Sequence, residues 1–218
     1  MKTSASLNLE KYKSLVFDCD GVILNSNKVK SKAFYNTALP YGKEAAQTLV
    51  NYHIANGGIS RYQKFERFLT QMIPNCVEGP NLDELLNVYA DEVRYGLITC
   101  EVTAGLNKLR EKTAHANWLI VSGGDQTELR DIFSKRDLSD YFDGGIFGSP
   151  DTKDQILTRE LNCGNIQHPA LFLGDSKYDF EAAKRANLDF MFVSDWTESN
   201  YSFANADFNI KTISHMIL

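Results

Sequence analysis

The sequence predicts an α/β fold, a doubly wound parallel sheet with an all-helical segment inserted after its first strand. Three observations predict it. Five short apolar runs have the length and composition of strands buried on both faces. In the second half of the chain, amphipathic stretches of helical period separate these runs, as in alternating strand–helix units. Between residues 27 and 98 the rhythm changes to successive helices with no strand among them.

The first strand is "SLVFD" at 14–18, an apolar run ending on a carboxylate. The helical block follows as "NKVKSKAFYNTAL", "KEAAQTLVNYHIA", "SRYQKFERFLTQMI" and "NLDELLNVYADEVRYGL". Pro40-Tyr41-Gly42, Asn56-Gly57-Gly58 and the loop around Pro74, Gly79 and Pro80 punctuate it, because glycine and proline break helical continuity. The remaining strands are "WLIVS" (118–122), "GGIFG" (144–148), "ALFLGD" (170–175) and "DFMFV" (189–193). Helices are predicted at "DQTELRDIFSKR" (125–136) and "KDQILTREL" (153–161). The predicted division is a catalytic core of residues 1–25 and 99–218, with a helical cap of residues 26–98. The chain enters the cap near Asn25 and leaves it near Glu101, so those stretches are the expected hinges.

A chain of 218 residues can bury one large core and carry an insert. Its 43% hydrophobic and 23% charged residues are ordinary for a globular protein. A net charge of −5, with lysine and arginine nowhere concentrated, argues against nucleic acid as a partner. No apolar run approaches the roughly 20 residues of a membrane span, and "MKTSASLNLEKYKS" lacks the apolar core of a secretion signal. A cytoplasmic monomer or homodimer with no membrane partner is expected. Cys19, Cys76, Cys100 and Cys163 have no paired spacing, which suggests neither zinc nor a disulfide framework.

Ligands of such sheets sit at the carboxyl ends of the strands. Reading only those ends collects Asp18 and Asp20, Ser122-Gly123-Gly124, Lys153 after a short loop, and Asp175 with Asp179. Four carboxylates at one edge repel, and burying them unpaired costs several kcal/mol each. A divalent cation and a lysine resolve the conflict, and oxygen-only ligation with few protein ligands suits Mg²⁺. One aspartate can then be a nucleophile and the other, on the turn leaving the strand, a proton donor and acceptor. Ser122 and the Gly123 N–H offer donors to phosphate oxygens, and Lys153 offers positive charge. In the cap, His53 precedes a glycine pair and Arg61 and Lys64 follow it, so these three are the candidates to read the distal part of a substrate. Cys19 alternates away from its flanking aspartates, into packing.

Taken together, "DCDGV" (18–22), "IVSGG" (120–124), Lys153 in "SPDTKDQIL" and "GDSKYD" (174–179) resemble the haloacid dehalogenase superfamily. The likeness is to its phosphatases with a helical cap after the first strand, the phosphoglycolate phosphatase and β-phosphoglucomutase-like branch. The resemblance implies a Rossmann-like core and a Mg²⁺-dependent phosphomonoesterase acting on a small phosphorylated metabolite, a sugar or sugar-acid phosphate. It implies that Asp18 becomes an aspartyl-phosphate, and that Asp20 protonates the leaving oxygen and then activates water. The implied metal ligands are the Asp18 carboxylate, the Asp20 backbone carbonyl and Asp175, with Asp179 direct or through water. Ser122 and Lys153 would bind the transferring phosphate. A phosphomutase of the same architecture is the alternative, since it uses the same motifs. A receiver-type signalling module is disfavoured, because it has no insert and no use for Asp20. Two departures stand out: Asn25 occupies a position where many relatives have aspartate, and the third motif lacks a lysine-proline pair. Lys153 is the best lysine there, with Lys135 a remote alternative.

Overall fold

The computed structural model describes residues 7–73 and 77–217, so Pro74 and Cys76 lie outside the described residues. Six strands form one parallel sheet: β1 (Ser14–Phe17), β2 (Asn117–Asp125), β3 (Gly145–Ser149), β4 (Ala170–Gly174), β5 (Asp189–Val193) and β6 (Phe208–Ile210). Their order is β3-β2-β1-β4-β5-β6. β1 pairs with β2 on one side and β4 on the other, with Phe17 level with both Ile120 and Leu173. The strand order therefore reverses between β1 and β4, where such sheets open a ligand crevice. That register brings Asp18, Ser122 and Asp175 to one edge.

The two-residue alternation of strands divides the core between the faces. Leu15, Phe17, Trp118 and Ile120 face one side, in a cluster that continues into the helical block. Val16, Leu119, Val121 and Phe172 face the other. Helices α5 (Leu106–Lys112), α6 (Gln126–Lys135), α7 (Lys153–Asn162) and α8 (Lys177–Arg185) complete the core. α7 and α8 each open on a capping box, Thr152 with Gln155 and Ser176 with Asp179. Two elements carry no periodic signal in the sequence. α5 is two turns of "LNKLREK" and β6 only three residues, each too short to display a period.

Between β1 and β2 the described chain forms α1 (Asn27–Ala38), α2 (Lys43–Ala55), α3 (Arg61–Arg67) and α4 (Leu82–Thr99). The expected single helix at 60–73 instead passes into a π-helical turn at Phe68–Met72, and Phe68 is fully buried. Ser60 caps α3 by accepting from the Gln63 N–H, and Asn81 with Glu84 forms a capping box on α4. Phe34, Phe65 and Tyr89 meet ring to ring with centroids 4.4–5.6 Å apart. Burial of each such ring contributes about 1.5–3 kcal/mol. The block joins the sheet by two segments lying side by side. Asn25 N–H donates to Glu101 O and Thr103 N–H to Ile23 O, both at 2.9 Å. Asn25 makes that contact through its backbone, so the pairing does not depend on its side chain. Among the described residues no helix is long and apolar enough to cross a membrane.

Candidate active site

Immediately after β1 the chain turns sharply. Gly21 has a φ of +76°, and a Cβ there would lie 2.2 Å from Asp175 Oδ2. Only glycine combines that dihedral with that approach. Asp18 and Asp20 flank Cys19, whose fully buried side chain packs in the core as alternation requires.

Asp18, Asp175 and Asp179 converge, with one oxygen from each within 4.8 Å of the others, and all three are buried. Lys153 answers them. Its Nζ lies 2.7 Å from Asp18 Oδ1 and pairs with Asp179 Oδ1. Asp18 Oδ1 is buried, and among the described residues this ammonium is its one cationic neighbour in reach. Burial, then the Asp179 charge, push the Asp18 carboxyl up to about 7 against the pull of Lys153. Burial, Asp179 and Asp18 likewise hold Asp175 well above the usual carboxylate range. Burial disfavours the Lys153 ammonium, but Asp179 and Asp18 outweigh it and raise its pKa. Three carboxylates against one ammonium leave a charge of −2. Three buried carboxylates converging with a formal charge of −2 fit a divalent cation held by oxygen.

The three carboxylates are not equivalent. Asp179 Oδ2 accepts from the N–H groups of Asp175 and Ser176 and from the Ser176 hydroxyl, while Oδ1 meets Lys153. Both of its oxygens are engaged in orienting the loop and the lysine. Asp175 Oδ2 accepts from Asn27 Nδ2 at 2.7 Å, and Thr197 Oγ1 donates to the Asp175 carbonyl at 2.8 Å. Asn27 and Thr197 have no motif to announce them in sequence.

Asp20 stands apart, paired with a residue that sequence reasoning missed. Lys30 Nζ meets its Oδ2, and the Ser26 hydroxyl donates to Oδ1 at 2.6 Å. Burial works against the Asp20 charge, yet Lys30 and the Ser26 hydrogen bond outweigh it and lower its pKa. A signal for Lys30 existed. It shares one buried stripe of α1 with Ala33, Phe34, Thr37 and Ala38, a lysine in an apolar pattern, while Lys28 and Lys32 are exposed.

The second strand end places Ser122 fully buried, its Oγ accepting from the Gly124 N–H at 3.0 Å. The hydroxyl proton stays free to donate. At Gly123 a Cβ would sit 2.2 Å from the Gly58 carbonyl oxygen. The glycine turn of the helical block thus rests on the carboxyl end of β2, and side chains larger than hydrogen would hold them apart. Lys135, the remote alternative to Lys153, lies on an exposed face paired with Asp131.

One cavity joins these parts. Asp18, Asp20, Asp175, Gly123 and Gly124 line it from the core, and Lys30, His53, Arg61, Lys64 and Tyr89 line it from the helical block. Its volume of about 60 Å³ has room for roughly four to six water molecules. Of the three predicted cap contacts, Arg61 is paired with a carboxylate. Its guanidinium makes a two-point contact with Glu128 of α6, with Nη1 3.1 Å from Oε2, and stacks over the Tyr89 ring at 4.7 Å. Lys64 Nζ is 2.8 Å from His53 Nδ1.

The model for haloacid dehalogenase-like hydrolases matches residues 15–193. Solved structures agree on the fold. A predicted phosphoglycolate phosphatase from Haemophilus somnus 129PT superposes with a TM-score of 0.73 at 15% identity, covering 94% of this chain and 96% of its own. CbbY from Rhodobacter sphaeroides, solved with xylulose-(1,5)bisphosphate, gives 0.71 at 16% identity, with 95% and 100% covered. A haloacid dehalogenase-like family hydrolase from Streptococcus pneumoniae gives 0.68 at 18% identity, with 93% and 95% covered. Comparison with curated proteins gives no match.

Proposed function

The chain belongs to the haloacid dehalogenase-like hydrolase family, and from that premise we propose that it is a Mg²⁺-dependent phosphomonoesterase for a small phosphorylated metabolite, a sugar or sugar-acid phosphate. The observation that carries this reading is the buried set of Asp18, Asp175, Asp179 and Lys153, with Asp20 two residues from Asp18 but in a separate ion pair. The two aspartates of one motif stand in separate ion pairs, which allows them two different tasks.

Asp18 and Asp175, with the Asp20 carbonyl, are the residues that would hold Mg²⁺. Asp179, with both oxygens engaged, acts through Lys153 and through water. The cation supplies Lewis-acid charge that draws off the negative charge of the phosphoryl oxygens. An Asp18 carboxylate oxygen attacks phosphorus, the bond from phosphorus to the ester oxygen breaks, and Asp20 gives its proton to that oxygen. Water then attacks the aspartyl-phosphate, Asp20 takes the water's proton, and inorganic phosphate leaves with Asp18 restored. Ser122, the Gly123 N–H and Lys153 stabilise the phosphoryl oxygens throughout. Lys30 holds Asp20 ionised, the form the second half-reaction needs, so the first half proceeds from the protonated minority.

The helical block is the proposed cap. A space for roughly four to six waters does not admit a sugar phosphate, so substrate enters with the cap swung away on the paired segments at Asn25 and Glu101. Closure then excludes bulk water. A phosphomutase would need two or more free cations in the cap for its second phosphate. Arg61 is occupied by Glu128 and Lys30 by Asp20, which favours hydrolysis.

The test is a panel of phosphorylated metabolites assayed with and without Mg²⁺, with products followed by phosphorus NMR. Free phosphate accumulating steadily, with no need for an added bisphosphate, supports the phosphatase. An isomeric sugar phosphate accumulating faster than free phosphate overturns it in favour of the mutase.

A further inference from the structure

The first turn of α1 reaches back into the core. Asn27 is the first residue of that helix, and its Nδ2 donates to Asp175 Oδ2 at 2.7 Å and to the Trp196 carbonyl at 2.9 Å. Both partners are acceptors only, so the amide nitrogen must face them and both of its hydrogens are engaged. The turn at Gly21 is built around this contact, because a Cβ there would meet Asn27 Nδ2 at 2.5 Å as well as Asp175. Asp179 has both oxygens engaged, whereas the Asp175 side chain, among the described residues, accepts from Asn27 alone. The segment after β5 completes the frame. Thr197 Oγ1 donates to the Asp175 carbonyl at 2.8 Å, and Glu198 accepts from the Ser31 hydroxyl at 2.7 Å. Asn27, Lys30 and Ser31 share one face of α1, as residues three and four apart do. One turn of the helical block thus meets Asp175, Asp20 and the segment that braces Asp175.

We propose that Asn27 is a positioning residue that links cation binding to cap closure: it holds Asp175 in place for the divalent cation only while α1 lies against the core. The inference rests on the Mg²⁺-dependent reading and adds a control on the cation site. Asn27 stands two residues beyond Asn25, where the paired segments join the helical block to the sheet. Two residues span up to about 7 Å, so a rotation of ~30° there displaces the amide by about 3–4 Å. That breaks a hydrogen bond of 2.7 Å. Without the amide, the Asp175 carboxylate is free to rotate away from Asp18 and Asp179. The coupling is reciprocal by thermodynamic necessity: a closed cap raises affinity for the cation, and bound cation favours the closed cap. Groups that orient a metal ligand from outside the coordination shell typically set affinity within a factor of about 10 to 100. The cation is therefore held tightly when the cavity is closed over substrate and more loosely when it is open.

Calorimetric titration of the substrate-free enzyme with Mg²⁺ reads the link without turnover. Asn27→Ala should weaken Mg²⁺ binding by roughly 10- to 100-fold, with the melting temperature in the absence of Mg²⁺ unchanged within a few degrees. Asn27→Leu, which keeps the volume and lacks the donors, is read the same way should Asn27→Ala fail to fold. Glu128→Lys sets a second cation against Arg61 and pushes the cap open from α6, which carries none of the cation's ligands. It should weaken Mg²⁺ binding by about threefold or more with Asn27 present, and by less than about 1.5-fold in the Asn27-substituted background. An unchanged Mg²⁺ affinity in the Asn27 variants overturns the proposal and leaves the phosphatase reading standing. Equal loss from Glu128→Lys in the two backgrounds, or no loss in either, also overturns it, because Asn27 would then serve Asp175 without responding to the cap. Wild-type enzyme that binds no Mg²⁺ removes the Mg²⁺ reading and the link together. Failure to hydrolyse any phosphomonoester, with the Mg²⁺ affinities as expected, removes only the phosphatase reading.

Discussion

The contact between Arg61 and Glu128 makes a sharp prediction, because it separates holding the cap from reading the substrate. Arg61 belongs to α3 and Glu128 to α6, so the pair ties the helical block to the core. Their side chains are 6% and 15% exposed. Removing one partner of a buried pair leaves the other charge uncompensated and costs about 3–5 kcal/mol. The partial exposure of Glu128 discounts that to about 2–3 kcal/mol. Glu128→Gln should therefore lower the melting temperature by roughly 4–12 °C, at about 2–4 °C per kcal/mol for a chain of this length. It should also raise KM for every phosphomonoester to a similar degree, since a loosened cap closes less often. The assay is a double-mutant cycle with Arg61→Met, read by chemical unfolding and by kcat/KM. The double variant should recover part of the loss, with a coupling of about 2 kcal/mol, because no stranded charge remains. Additive effects within about 0.5 kcal/mol, or a Glu128→Gln enzyme with unchanged KM, would refute the latch and return Arg61 to the substrate.

Asp18→Asn should fold normally and lose more than about a hundredfold in kcat, since a carboxamide cannot form the acyl phosphate; a smaller loss in single-turnover assays argues against covalent catalysis. Chelation should stop turnover, Mg²⁺ should restore it, and Ca²⁺ should bind without supporting it because its looser shell disturbs in-line geometry. Full activity in excess chelator would exclude the metal. Lys30→Met should move two pH profiles the same way. Asp20 is held below the carboxylate range, so its contribution to stability is present above that range and disappears as pH falls through the folded value. Without Lys30 the Asp20 pKa rises, so the acid-unfolding midpoint should shift to higher pH, and so should the basic limb of kcat/KM, where loss of the Asp20 proton ends protonation of the leaving oxygen. Unmoved profiles would dissociate Lys30 from Asp20. Gly123→Ala drives a methyl group into the Gly58 carbonyl, so it should slow turnover of every substrate while leaving the melting temperature within a few degrees; wild-type kcat would show that closure does not need this contact.

Much of this molecule is legible in the chain because the relevant physics is local. A run buried on both faces must be apolar, and a strand that ends in "FDCDG" must expose its carboxylates where backbone pairing stops. Hence β1 to β5, the helices after the motifs and the strand-end residues Asp18, Asp20, Ser122, Lys153 and Asp175 can be read directly. Short elements escape, because α5 and β6 offer too few residues for a period to show. The tertiary structure alone decided which charge answers which. Glu128 stands three residues after Asp125, as an acidic residue does in a helix's first turn, and only the packing of α3 turns it toward Arg61. Lys30 differs from Lys28 and Lys32 by the 100° steps of a helix, yet it alone reaches Asp20. Lys64 looked equivalent to Arg61 in sequence, three residues further along the same helix. The fold gave Arg61 a carboxylate and, among the described residues, Lys64 none within ion-pairing distance. Coulomb energy depends on distance and burial, and both are fixed by elements far apart in the chain.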